Sequence, residues 1–128
     1  MARILVIDDD HGVRTMLSRT LAHCGHTVIE AENGKIGLDL FPSSNADLVI
    51  TDLVMPEKEG LEVLAVLRKA TPPVKVIAIS GGGRHNATEY LNVARYLGAS
   101  RVLAKPFSIE ALMAAVNELV PSAGPVAS

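Results

Sequence analysis

Five short runs of aliphatic and β-branched residues punctuate the chain, at 3–7, 26–31, 48–51, 74–79 and 101–104, and the stretches between them have helical spacing. This alternation constrains the fold more than any other feature. The first, third and fourth runs are nearly all apolar, the pattern of strands buried on both faces, so helices must cover both sides of the sheet they form. After the first run, Val13, Leu17, Leu21 and Cys24 fall on one helical face ahead of Gly25, a residue suited to a left-handed stop. A shorter helix is predicted over 35–41, and Leu61, Leu64 and Leu67 define a third that halts before Pro72 and Pro73. A fourth covers about 87–97, ahead of Gly98. The last starts at Ser108 as N-cap, places Glu110 in its first turn beside the helix dipole, and ends before Pro121. Strand and helix alternate five times, which predicts an α/β fold: a parallel sheet of five strands with five helices on its two faces.

A length of 128 residues suits one such domain and leaves no room for a second. With 48% hydrophobic and 20% charged residues the chain can build a core, which excludes disorder along its whole length. The tail at 121–128, rich in Pro, Ala, Gly and Ser, is the exception and is expected to be flexible, leaving 1–120 as the folded domain. Twelve basic against 14 acidic residues give a net charge of −2, without the basic surplus that nucleic-acid binding needs, so no direct nucleic-acid contact is expected. There is no Trp to stack on bases. Cys24 has no partner for an internal disulfide, the first residues lack the apolar run of a signal peptide, and no stretch reaches the roughly 18 apolar residues of a membrane span. A cytoplasmic location without membrane contact is the expectation.

Ligands of parallel sheets sit beyond the carboxyl ends of the strands. In this chain Asp8, Asp9 and Asp10 follow the first strand, Asp52 ends the third, Ser80 follows the fourth and Lys105 follows the fifth. The predicted topology therefore gathers an acidic cluster, a hydroxyl and an ammonium on one edge. Close carboxylates repel one another unless a cation relieves them, and such hard oxygen ligands suit Mg²⁺. A carboxylate beside Mg²⁺, with Lys105 and Ser80 placed to neutralise and hydrogen-bond phosphoryl oxygens, is equipped to attack phosphorus and retain the product as an acyl phosphate. No base stands ready for Ser80, which disfavours a Ser/His/Asp hydrolase. Taken singly, each residue has a plainer explanation: the Asp triplet as cap and turn, Asp52 as a turn residue before Met55 and Pro56, Ser80 as part of a glycine-rich loop without a phosphate-loop pattern, and Lys105 as a solvated lysine. Their joint placement on one edge is what favours chemistry.

The residues carrying these features, Ile-Leu-Val-Ile ahead of Asp8, Asp9 and Asp10, then Asp52-Leu-Val-Met-Pro56 with Gly60, Ser80-Gly81, Gly98-Ala99 and Lys105-Pro106-Phe107, resemble the receiver domain of two-component response regulators. The resemblance covers about 4–120 and implies a flavodoxin-like, doubly wound sheet of order 2-1-3-4-5 in a three-layer α/β/α arrangement. It implies that Asp52 is the phosphoacceptor, served by a phosphohistidine of a sensor kinase or phosphotransfer protein. It also implies that Asp8, Asp9, Asp52 and the backbone carbonyl of Val54 hold Mg²⁺, that Lys105 pairs with the phosphoryl group, that the peptide bond from Lys105 to Pro106 is cis, and that Ser80 hydrogen-bonds a phosphoryl oxygen and draws its loop inward as the switch. The protein would be a single-domain regulator rather than an enzyme with a turnover substrate, and a monomer or weak homodimer. It would engage a protein effector through its fourth helix, fifth strand and fifth helix, a face that contains Tyr90, Arg95, Tyr96 and Arg101.

The match is not complete. Val102 stands where the family usually has Tyr or Phe, so an aromatic toggle is absent there, and the Ser80 to Lys105 interval is longer than the family's, with the excess at 82–86. Val54 and Gly82 cannot position an attacking water, from which slow self-dephosphorylation is expected. His11, a solvated first-turn residue by its position, and His23, His26 and His85 share no metal-ligand spacing, and Cys24 reads as a buried small hydrophobe at a helix end. Two other functions compete. Asp8 and Asp10 fit the Asp-x-Asp of haloacid-dehalogenase-type phosphatases, with Asp8 as nucleophile and Asp10 as acid, although Gly12 and the lack of a later acidic pair depart from that pattern. A pseudo-receiver that binds partners without phosphate is the other.

Overall fold

The computed structural model describes residues 2–53, 59–71, 73–80, 92, 95 and 98–120. In chain order they form β1 (Arg3–Ile7), α1 (His11–His23), β2 (Thr27–Ala31), α2 (Gly34–Ser44), β3 (Leu48–Asp52), α3 (Glu59–Leu67), β4 (Lys75–Ser80), β5 (Arg101–Ala104) and α4 (Ile109–Leu119). The helix expected over 87–97 lies outside the described residues except at 92 and 95, so the helix expected fifth is α4. All strand pairs are parallel, in the order β2-β1-β3-β4-β5.

The alternation of side chains along each strand divides the core into two halves. Ile4 and Val6 of β1, with Leu48, Ile50, Ile77 and Ile79, face Leu17 and Leu21 of α1 and Leu112, Ala115 and Val116 of α4. Leu5 and Ile7 turn to the opposite side, where Val49, Val76 and Ala78 meet Val63, Leu64 and Leu67 of α3, with Leu38, Leu40 and Phe41 of α2 packed alongside. The result is the expected three layers, α1 and α4 on one face and α2 and α3 on the other. Every residue of β3 is buried, whereas β5 at the sheet edge is only partly covered. No described helix is long and apolar enough to cross a membrane.

Local chemistry sets the ends of the elements around the site. Asp10 caps α1 by accepting from the Val13 N–H at 3.2 Å. The helix closes with the paired bonds of a Schellman turn, Gly25 N–H to the Ala22 carbonyl at 2.9 Å and His26 N–H to the Leu21 carbonyl at 3.1 Å, with Gly25 at φ 95°. That turn corrects one expectation. Cys24 is exposed rather than buried, because it is the C-cap residue and its backbone has already left the helical path that would have carried it beneath Leu21. Helix α2 also exceeds the predicted 35–41, running through Pro42 to Ser44 and ending at Asn45 in the left-handed conformation. Pro42 removes only one donor near the end of the helix, while Phe41 packs into the core, so tertiary contact overrides the local stop.

Candidate functional site

The register places the chemistry where β1, β3, β4 and β5 end together. Asp8 follows Ile7, which pairs with Thr51, the residue before Asp52. Asp52 in turn pairs with Ile79, the residue before Ser80, and Ser80 pairs with Ala104, the residue before Lys105. Three ladders thus bring residues far apart in sequence to one sheet edge. Val54, expected to offer a backbone carbonyl, lies outside the described residues, as do Gly82 and the rest of 81–91.

Asp8, Asp52 and Ser80 are buried, and Asp9 is exposed. One carboxylate oxygen from each of Asp8, Asp9 and Asp52 lies within 4.8 Å of the others. Such a set of hard oxygen donors, two of them shielded from water and one facing it, fits a small divalent cation that keeps part of its hydration shell. The Lys105 ammonium sits 3.1 Å from Asp52 Oδ2 and 3.4 Å from Asp8 Oδ2. The bond from Lys105 to Pro106 is cis, as the resemblance implied.

These neighbours shift the proton affinities. Burial pushes the Asp8 carboxyl up to about 6, against the Asp10 N–H that donates to its Oδ1 at 2.9 Å; the nearby Asp52 charge raises it further and Lys105 lowers it. Burial alone would lower the Lys105 ammonium, but the charges of Asp52 and Asp8 and its hydrogen bonds to both hold it above the usual lysine value. Among the described residues the pocket therefore brings two buried carboxylates and the exposed Asp9 against one ammonium, a set suited to bind a cation and a phosphoryl group together.

The Asp triplet divides its labour. Asp8 and Asp9 contribute to the carboxylate group, while Asp10 turns away to cap α1. His11 is exposed in the first turn, its Nδ1 3.1 Å from the Arg14 guanidinium. His26, at the opposite end of the sheet, accepts the Ala2 N–H on Nδ1 at 3.2 Å, and burial lowers its proton affinity. Val102 is half-buried against the α2 and α3 layer. On the expected effector face Arg95 is exposed, Arg101 is paired through two nitrogens with Glu118 of α4, and Tyr90 and Tyr96 lie outside the described residues. Arg14 was missed in the sequence, although a basic residue one turn into the helix behind an acidic cluster is a readable signal.

The sequence matches the family described as response regulator receiver domain over residues 4–117. The chain belongs to that family. It is 36% identical over 118 residues to the response regulator MprA of Mycolicibacterium vanbaalenii, covering 92% of this chain and 50% of that protein. It is 34% identical to the DNA-binding transcriptional regulator NtrC of Azospirillum brasilense, covering 99% of this chain and 26% of the relative. This receiver thus spans about half and about a quarter of those two relatives. Among solved structures, a receiver domain from Clostridium thermocellum superposes with a TM-score of 0.84 at 32% identity, covering 93% of this chain and 94% of the other. The response regulator TrrA of Thermotoga maritima, in complex with Mg²⁺ and BeF, gives 0.81 at 33% identity, with 94% and 100% covered. Receivers are phosphoacceptor signalling modules of two-component systems that bind Mg²⁺ at an acidic pocket, and this chain has an acidic cluster at that place.

Proposed function

We propose that this receiver takes a phosphoryl group onto Asp52 from a phosphohistidine of a sensor kinase or phosphotransfer protein, in a Mg²⁺-dependent reaction that alters its protein-binding face. The observation that carries the reading is the convergence of Lys105 Nζ on Asp52 Oδ2 at 3.1 Å, at the edge where Asp8 and Asp9 complete a group of carboxylates. Asp9, Asp8, Asp52 and the Val54 carbonyl would hold the metal. When bound, Mg²⁺ supplies positive charge to the carboxylates and to phosphoryl oxygens.

In the transfer, an Asp52 oxygen attacks phosphorus, the phosphorus–nitrogen bond of the donor breaks, the imidazole leaves with that electron pair, and the acyl phosphate remains on Asp52. Lys105, already against the Asp52 carboxylate, would neutralise the phosphoryl oxygens that arrive beside it. Ser80, buried at the end of β4, would donate to a phosphoryl oxygen and draw in the residues that follow it, biasing the surface formed by 87–97, β5 and α4 toward an effector. Val54 and Gly82 offer no side chain to orient water, which supports slow self-dephosphorylation. A folded receiver at 1–120, as a monomer or weak homodimer, completes the proposal; light scattering tests the oligomeric part.

The phosphatase alternative needs Asp10 as an acid inside the site, whereas the Asp10 carboxylate accepts from Val13 N–H as a helix cap. The deciding experiment is intact-mass measurement after incubation with Mg²⁺ and acetyl phosphate. One added phosphoryl group that disappears in Asp52→Asn is expected. An adduct that survives Asp52→Asn and is lost in Asp8→Asn would overturn the reading.

A further inference from the structure

Arg14 stands behind the acidic cluster with its side chain 14% exposed and all three guanidinium nitrogens engaged. Its Nη1 donates to the Asp8 backbone carbonyl at 2.8 Å, its Nε donates to Glu30 Oε1 on β2 at 3.2 Å, and its Nη2 lies 3.1 Å from His11 Nδ1. The remaining polar groups of Asp8 are also held: its N–H by the Ala31 carbonyl at 3.2 Å, Oδ1 by Asp10 N–H, and Oδ2 by Lys105.

From this we infer that Arg14 is a positioning residue for the metal pocket, an inference that rests on the metal reading above. The Asp8 carbonyl belongs to the peptide plane that joins Asp8 to Asp9. Fixing its oxygen fixes the last torsion of Asp8 and the first of Asp9, and so the direction in which the exposed Asp9 carboxylate leaves the chain. A planar guanidinium can grip that oxygen and Glu30 at once because its donors are set in a rigid fork; an ammonium is a single point and cannot span both. Glu30 anchors the fork from β2, so the edge strand helps to set the geometry of a site to which it contributes no ligand. Outer partners of metal ligands act in this way, and their loss commonly weakens binding about 10-fold to 100-fold.

The test is Mg²⁺ titration by calorimetry at pH 7.5, with urea unfolding in EDTA run on each variant. Arg14→Ala is expected to weaken Mg²⁺ binding about tenfold, Arg14→Lys to give no rescue, and Glu30→Gln to show a smaller loss in the same direction. The double variant should bind no worse than Arg14→Ala, since the two residues act as one unit. If Arg14→Ala does not fold, Glu30→Gln alone decides. Wild-type binding with every variant within twofold of it overturns the inference, even if stability falls, because a purely structural arginine would lower stability and leave the affinity unchanged. A wild-type protein that takes no Mg²⁺ overturns the metal reading and this inference with it.

Discussion

Lys105 and Asp52, 53 residues apart, meet at 3.1 Å because Asp52 ends β3 and Lys105 directly follows β5 in one parallel sheet. The same ammonium reaches Asp8 at 3.4 Å, so among the described residues one cation lies against two buried carboxylates across three strand ends. That imbalance sets how the site responds to substitution, protons and metal.

Lys105→Met removes the balancing charge and leaves Asp8 and Asp52 facing each other. In EDTA at pH 7.5 it should lose about 3 kcal/mol of stability, the range for stripping a partner from buried charge. The deficit should shrink at pH 5, where Asp8 is largely protonated and needs no counter-charge. Urea unfolding at the two pH values measures both, and equal deficits would contradict the account. Phosphoryl uptake from acetyl phosphate should slow by about 10²-fold, since a donor to developing oxygen charge is lost.

Mg²⁺ affinity should depend on pH through Asp8. Its folded value of about 6 lies above its ordinary 3.8. The folded state therefore holds this proton more tightly than the unfolded chain. The stabilisation this gives is fully present below 3.8 and is lost as pH rises through 6, leaving a charge that metal can relieve. The rise in melting temperature caused by Mg²⁺ should accordingly be large at pH 7.5 and small at pH 5, with affinity falling up to about tenfold per pH unit below 6. Asp8→Asn should flatten that dependence while leaving a weaker site.

The strands were legible because burial on both faces leaves little room for polar residues, so β1, β3 and β4 appear in the sequence as nearly continuous apolar runs whose polar residues fall at their ends. Their ends then pointed to Asp8, Asp52, Ser80 and Lys105 with no need of side-chain detail. The strand order came from the family resemblance, since alternation alone fixes parallel strands but not their sequence across the sheet. Cys24 was misread because helical spacing continues on paper past a residue where the Schellman turn has already bent the chain. Arg14 was missed because its partners, a backbone carbonyl and a residue of another strand, leave no mark in the sequence around it; only its place one turn into the helix behind the acidic cluster does.

Gly37 of α2 lies against Ile7, the last residue of β1 before Asp8. A Cβ at Gly37 would collide with Ile7 Cδ1 and sit 2.7 Å from its Cγ1, and Ile7 is buried, so its side chain has little space to retreat. Gly37→Ala should cost about 1–3 kcal/mol in urea unfolding despite the better helix propensity of alanine. A neutral or stabilised variant would show that the core relaxes freely at this point.

Asp10 separates the receiver chemistry from that of a phosphatase. As the α1 cap it holds the Val13 N–H, so Asp10→Ala should cost about 1 kcal/mol and Asp10→Asn, an equally good cap, should restore most of it. Neither should abolish phosphoryl uptake at Asp52, because the Asp10 carboxylate is committed to the helix. In a phosphatase the residue would protonate the leaving group, and Asp10→Asn would stop turnover as completely as Asp10→Ala. Stability from urea melts and phosphoryl uptake from intact mass, measured on both variants, therefore give opposite patterns under the two mechanisms: recovery of stability with uptake retained in one, and loss of chemistry independent of the cap in the other.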